Sequence, residues 1–346
     1  MPDISTIHID RALTNVSIGY VNETYVADDV MPPIPVVKRS DKYFIYNKDA
    51  FLRSTGVDPQ GRPQSIRRPG SESTNIQFGI SNQSFYAEQL AKKYLLTDAE
   101  VNYADVPLQP AIDATLALSE MIKLDNELAV ATKCGKVTNY AASNQKLLVT
   151  GTTTWQATGS ASHPMSVDIP GAKTQVLKGV LRTANAMLVN YATGQVLSQN
   201  PEYVDRYKYV SKEGVTNSGL LPNIEGLDVI EAPTQYVTSA EGVNPVTTAF
   251  AWTDNSNRDI ALIFHRPPGV AGLRTVAFGL TFNAPDDTLG GIGYMVKRWR
   301  EERLDGEYIE VRTTRDWRFI CTDGSANGDG GNGYAMGGFL ISGTTL

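Results

Sequence analysis

The clearest periodicity in the chain runs through Ala117, Met121, Leu124, Leu128 and Ala131, which recur at steps of four, three, four and three, the spacing of one helix face. Leu118, Ile122 and Ala129 widen that face, and Glu120, Lys123 and Glu127 stand at spacings that support a helix surface. Asp105 caps the start, Pro107 and Pro110 fall in the first turns where a missing amide costs little, and Gly135 serves as a C-cap. The pattern predicts a helix over 106–134, about 40 Å long at about 1.5 Å per residue. Thr97-Asp-Ala-Glu100 just upstream has capping-box spacing and predicts a helical turn. Asp168 before Pro170 opens a second helix with Ala172, Val176, Val180 and Ala184 on one face, and Asn200-Pro201-Glu202 starts a third.

Other segments lack helical periodicity. Residues 1–40 are apolar without a period and are stiffened by Met31-Pro-Pro-Ile-Pro35, so they read as an extended arm that must lie on the rest of the protein or on a neighbour. Tyr43–Asn47 and Asn75–Ala91 read as two strands. Between them, Arg53–Ser73 carries Gly56, Asp58-Pro59, Gly61, Pro63 and Pro69-Gly70 with Arg62, Arg67 and Arg68. About 20 polar residues joining two strands is uncommon in a compact domain unless the loop docks elsewhere. Residues 138–164 read as a loop, Met187–Val189 as a buried strand, and Leu227–Ile230, Ala249–Thr253, Asp259–His265 and Arg274–Phe282 as short strands. Tyr294–Leu304, Asp305-Gly306 and Glu307–Cys321 predict a long hairpin with a two-residue type I′ turn. Asp323–Gly333 reads as a glycine-rich linker before a last short strand in Tyr334–Ile341.

The 41% apolar and 20% charged residues, with 30 Gly and 18 Pro, indicate a globular, strand-leaning chain. A formal charge of -6 argues against a protein that mainly grips phosphate. Cys134 and Cys321 are far apart and read as small buried thiols, which fits a reducing compartment. Asp3, His8 and Asp10 interrupt any apolar run at the start, and no stretch approaches the about 20 apolar residues of a membrane helix, so a soluble, cytoplasmically made protein is expected.

Catalytic chemistry finds no anchor. His8, His163 and His265 lack the close-set ligands of a zinc site, and no Gly-x-Ser-x-Gly elbow occurs. Gly290-Gly-Ile-Gly293 precedes a strand and reads as a bulge, and Asp286-Asp287 reads as a solvated turn. No cofactor and no metal are expected. Lys297–Arg303 is the densest charge cluster; as a strand it puts Arg298, Arg300 and Glu302 on one side and Lys297, Trp299, Glu301 and Arg303 on the other. Interleaved opposite charges suggest a polar contact surface, although Trp299 with basic neighbours could stack on a base.

The order of parts, together with Gly19–Val36 (GYVNETYVADDVMPPIPV), Phe85–Asp98 (FYAEQLAKKYLLTD) and Asn200–Tyr203, resembles the major capsid proteins of tailed bacteriophages over nearly the whole chain. The resemblance implies an α+β tailed-phage capsid fold: an arm over 1–40, a two-stranded extended loop over 41–96, a peripheral domain over 97–187 with its spine helix, an axial domain over 188–290, and a final hairpin and tail over 291–346. It also implies hexamers and pentamers of an icosahedral shell enclosing double-stranded DNA as a weak neighbour, with no membrane. No helical scaffold segment precedes the arm, so a separate scaffolding protein or an already matured chain is expected, with a portal and a possible decoration protein. The loop tip carries no lysine, which argues against a lysine cross-link there. Inter-subunit contacts are expected from Arg62, Arg67 and Arg68 and from Trp299, Arg300, Glu301, Glu302 and Arg303. The rival readings are an encapsulin-type shell, a strand-rich hydrolase and a phage tail or adhesion protein.

Overall fold

The computed structural model describes residues 22, 24–46, 56, 62, 65–67, 69–73, 80–103, 109–148, 153–156, 162–207, 219–269, 272, 275–286, 292–325 and 327–345. Its first half contains α1 (Ala27–Val30), β1 (Pro33–Pro35), β2 (Ser40–Tyr46), β3 (Ile80–Tyr86), β4 (Glu88–Thr97), α2 (Asp98–Tyr103), α3 (Pro110–Gly135) and β5 (Gln145–Leu147). Then follow α4 (Ile169–Val180), β6 (Ala186–Asn190), α5 (Tyr191–Gln199), α6 (Pro201–Tyr207), β7 (Asn223–Ile224), β8 (Leu227–Ala232), β9 (Gln235–Val237) and β10 (Thr248–Phe250). The last strands are β11 (Ile260–Phe264), β12 (Gly279–Asn283), β13 (Met295–Glu301), β14 (Gly306–Phe319) and β15 (Gly338–Ser342). The class is α+β, as the sequence led us to expect.

A six-stranded sheet of order β5-β15-β11-β6-β8-β7 carries the main core. Every residue of β6, β11 and β15 is buried because both faces of that sheet are covered, so a strand there reads as a continuous apolar run. One face, with Leu188, Leu262, Phe264 and Leu340, packs on Trp252, Phe278 and α3; the other, with Val189, Ile263 and Ile341, packs on Met165, Ile169, Ala172 and Val176 of the α4 segment. Helix α4 stops at Val180 with Leu181 left-handed, so the expected helical Ala184 is buried beyond the helix end. Asp168 does not cap it; its carboxylate instead accepts from the Trp155 indole at 2.8 Å and pairs with Lys146. The expected loop over 138–164 therefore contains a sheet strand and a fully buried tryptophan.

The second sheet is organised by β14, which pairs with β4 over its first ten residues on one side, and with β13 and then β12 on the other. Helix α3 lies across it, with Leu118 and Ile122 on Leu96, Ile309 and Val311. The buried apolar positions are Leu118, Ile122, Val130, Ala131 and Cys134; Leu118 and Ile122 stand one helical step, about 100°, from Ala117 and Met121, and Ala131 stays on the expected stripe. Ala117 and Met121 face outward, Met121 being 51% exposed, because sheet and arm select a face that the apolar pattern alone leaves open. Asp105 and Pro107 lie outside the described residues, and Pro110 opens the helix.

Three further expectations change. Asn75–Ala91 is not one strand: β3 ends at Tyr86, and after Ala87 the chain crosses into β4 of the second sheet, so among the described residues the two-stranded hairpin comprises Ser40–Tyr46 and Ile80–Tyr86. The β13–β14 turn is not type I′, because Gly306 lacks a positive φ; Glu302–Leu304 form a 3-10 turn, Asp305 is left-handed, and Glu301 pairs with Gly306. A Cβ on Gly306 would lie 2.7 Å from the Leu96 carbonyl oxygen, so the glycine answers the approach of β4. Finally, Asp323–Gly333 is a folded loop and not a linker: Asp323 accepts from the backbone of Ser325 and Tyr334, and Gly324, Gly328, Gly330, Gly331 and Gly333 take positive φ.

The arm, from Thr24 onward, belongs to its own chain's core. Val26, Ala27, Val30 and Met31 are 0–5% exposed, and β1 adds in parallel to β12. The hairpin root rests on Phe282, which stacks on Phe85 at 4.5 Å and tilts against Tyr43 at 5.5 Å. Phe282→Ala is expected to lower the unfolding free energy by about 4 kcal/mol, measured by denaturant titration, because a buried aromatic leaves a cavity shared by hairpin and sheet.

Candidate assembly surfaces

The described strands of the hairpin end at Tyr46 and resume at Ile80. At its far end Arg62, Ile66 and Arg67 are exposed, Ile66 by 59%, and the Arg67 Nε donates to the Ser71 carbonyl at 2.5 Å. Arg68 lies outside the described residues.

The Lys297–Arg303 cluster lies on β13 at the outer edge of the second sheet. Residues opposite each other in an antiparallel pair share a face, and Arg298 faces Ile309 while Trp299 faces Tyr308. Val296, Arg298 and Arg300 thus stand on the α3 side, and Arg300 Nη2 pairs with Asp98 at 2.6 Å. That exposed pair lowers the Asp98 carboxyl from its ordinary value through the Arg300 hydrogen bond. On the opposite face Trp299 stacks on Tyr308 at 5.3 Å, with the Lys297 ammonium 5.2 Å from the Trp299 ring and the Lys93 ammonium 4.5 Å from the Tyr308 ring. Glu301 is half-buried there, whereas Glu302 and Arg303 are exposed in the 3-10 turn and do not follow the expected strand alternation. Lys297 and Lys93 are engaged by aromatic rings and Arg300 by a carboxylate of the same chain, which does not make a nucleic-acid groove.

Three apolar side chains of α3 stay exposed: Ile112 and Leu116, 50% and 60% exposed, share one face, and Met121, 51% exposed, lies about 180° round the helix from Ile112. Thr115 and Ser119 on this segment donate back to the carbonyls of Ala111 and Thr115, each at 2.7 Å.

The polar centre that the sequence reading missed is Glu127. It is wholly buried on α3 and accepts from the Ala27 amide at 2.7 Å, the Val26 amide at 3.1 Å and the Trp252 indole at 2.6 Å. Burial raises its carboxyl above 4.5, against the lowering effect of those donors. One side chain so joins arm, helix and main core. The only sign in sequence is a glutamate inside an apolar stripe, which we had read as surface support.

One other expectation reverses, and one histidine gains a partner. Asp286 is 4% exposed, not solvated: it binds the Arg312 guanidinium at 2.7 Å and the Gln89 amide at 2.9 Å. His163 meets Glu202 at 2.7 Å, and Glu202 also accepts from the Ser166 hydroxyl and from the backbone of Met165. The histidine does not lie between Ser166 and the carboxylate, so the group lacks the nucleophile–base order of a hydrolytic triad. The capping box forms as expected, Glu100 accepting from the Thr97 amide at 3.0 Å. Both cysteines are free thiols. Among the described residues no His, Cys, Asp or Glu cluster could hold a metal ion, and no helix is long and apolar enough to cross a membrane.

No family model matches the chain. It is 26% identical over 223 residues to the major capsid protein of Pseudomonas phage JBD67, covering 64% of this chain and 67% of that one. It is likewise 26% identical over 216 residues to the major capsid protein of Burkholderia phage BcepMu, covering 62% and 66%. Among solved structures it is similar to a phage-related protein from Bordetella bronchiseptica RB50, with TM-score 0.63 and 17% identity over 97% of both chains. The capsid of Cyanophage P-SCSP1u matches at TM-score 0.60 and 12% identity, over 94% of this chain and 89% of that one. The SrpI encapsulin of Synechococcus elongatus PCC 7942 matches at TM-score 0.53 and 12% identity, over 99% and 95%. With a two-stranded hairpin, a long helix and two larger sheets, the chain has the tailed-phage capsid fold, and its sequence relatives are phage major capsid proteins.

Proposed function

We propose that the chain is a structural subunit that self-assembles as hexamers and pentamers into the icosahedral capsid of a phage virion enclosing double-stranded DNA. The observation that carries this reading is the apolar surface the chain leaves uncovered on its longest helix. Along α3, Ile112, Leu116 and Met121 are 50%, 60% and 51% exposed. Large buried areas between subunits are how stable assemblies use such surfaces. The second sheet with α3 is the peripheral domain, and the six-stranded sheet with β9 and β10 is the axial one. This division moves β12 to the peripheral side and α4 and β15 to the axial side, relative to boundaries at 187 and 290.

Arg62, Arg67 and Arg68 at the hairpin end meet carboxylates of a neighbouring subunit, and the edge formed by Trp299, Arg300, Glu301, Glu302 and Arg303 is a second contact. Individual exposed pairs contribute about 0 to 1 kcal/mol, multiplied over a shell. A separate scaffolding protein, a portal and a decoration protein complete the particle. DNA is a neighbour held without a cationic groove, in keeping with the charge of -6. The similarity to an encapsulin supports shell geometry in general, while both sequence relatives are phage capsid proteins. Electron microscopy and light scattering of the purified chain, with and without the scaffolding protein of its phage, are expected to show capsomers, tubes or shells. A strictly monomeric chain under all conditions overturns the proposal.

A further inference from the structure

Between the hairpin root and the glycine-rich loop lies a cleft of about 430 Å3, lined by Lys42, Asn82, Gln83, Ser84, Gly324, Ser325, Gly331 and Asn332. Its walls come from segments far apart in sequence and are tied together by Gln83. That side chain accepts from the Tyr43 hydroxyl at 2.6 Å and donates to the Thr322 hydroxyl at 3.3 Å and to the Asn332 carbonyl. The cleft is polar, and its charge is one-sided. Lys42 is its one charged lining residue, and the Lys42 ammonium, the Asn82 amide and the Ser84 hydroxyl have no partner among the described residues.

The two carboxylates of the adjacent loop are already engaged. Asp323 accepts from the Ser325 amide at 3.0 Å, the Ser325 hydroxyl at 2.9 Å and the Tyr334 amide at 2.8 Å, and Asp329 pairs with Lys133 at 2.6 Å. A cleft with an unpaired ammonium, amide and hydroxyl donors and no lining carboxylate favours an anion, and a charge-assisted bond to a carboxylate is the strong interaction available there.

We infer that this cleft receives an aspartate or glutamate side chain of a second copy of the chain. The volume suits one or two side chains and not a folded element. The copies around it are net acidic, with a formal charge of -6 each, which complements the single cation lining the cleft. The inference rests on the assembly reading above and deepens it by giving the hairpin root, and not only its tip, a partner.

The test is zero-length carbodiimide coupling, which joins an amine to a carboxylate in contact, on assembled particles made from mixed isotope-labelled and unlabelled chains. The expected result is a Lys42 peptide linked to an Asp or Glu peptide of the other isotope in particles and absent from unassembled subunits. Lys42→Glu is expected to weaken association about tenfold by placing like charges together, with Lys42→Arg close to the unchanged chain and the melting temperature the same in all three. Particles that form normally with Lys42 uncoupled, or coupled only within one chain, overturn the inference while leaving the assembly reading intact. Capture of a free small dicarboxylate by unassembled subunits, with no Lys42 link between copies, also overturns it. A chain that never assembles overturns both, and microscopy alone tells that case apart.

Discussion

Glu127→Ala is expected to destabilise the chain by about 4 kcal/mol, because three buried donors lose their acceptor together and each orphaned group costs about 1 to 3 kcal/mol. The Val26 and Ala27 amides and the Trp252 indole belong to buried residues, Val26, Ala27 and Trp252 being 5%, 1% and 0% exposed. Denaturant titration measures the loss, and limited proteolysis is expected to cut the arm around residues 22–36 first. The same residue gives a pH signature. Its carboxyl is raised above 4.5 by burial, so the folded chain holds this proton more readily than the unfolded one. A group of that kind favours the fold at low pH, and its contribution falls as pH climbs from 4.5 through the raised value. The stability deficit of Glu127→Gln against the unchanged chain is therefore expected to narrow as pH rises over that window. A deficit that widens instead would show that the carboxylate is favoured in the fold.

Gly135→Ala runs against helix propensity. Gly135 closes α3 without a positive φ, and alanine there would ordinarily gain about 1 kcal/mol. A Cβ at this position would instead overlap the Thr253 carbonyl, a backbone group that follows the buried Trp252 and cannot swing aside as a flexible side chain does. The expected outcome is a loss of about 3 kcal/mol, the upper end of overpacking costs, seen as a lower denaturation midpoint. Gly135→Ser should cost at least as much. An alanine variant as stable as the unchanged chain would mean that α3 ends with more room than the packing on Thr253 allows.

These two positions show where reading the sequence stopped. A glutamate within an apolar stripe and a glycine at a helix end have ordinary local explanations, surface support for one and a C-cap for the other. Both explanations fail for a non-local reason: the arm, 100 residues from Glu127, supplies its donors, and the 253 carbonyl occupies the space beside Gly135. The rotated face of α3 has the same origin. Leu118 and Met121 are equally apolar, and only the β4–β14 surface decides that Leu118 is covered. The surface residues followed suit: Arg300 is paired within the chain with Asp98, and Trp299 is stacked on Tyr308, partners that lie on separate segments in sequence.

By itself the sequence determined the existence and kind of the long elements, because their evidence is local. The 3.6-residue period marks α3, the Thr97–Glu100 box starts α2, Asn200-Pro201 starts α6, and buried apolar runs mark β6 and β11. The ordering of those elements carried the α+β tailed-phage capsid reading. Only the tertiary structure decided how strands pair beyond the two hairpins, that Ala87 divides two sheets, that the arm is held by Glu127, and that a polar cleft opens at the hairpin root. Each of these depends on residues brought together from distant parts of the chain, and local propensity carries no information about which distant surface will arrive.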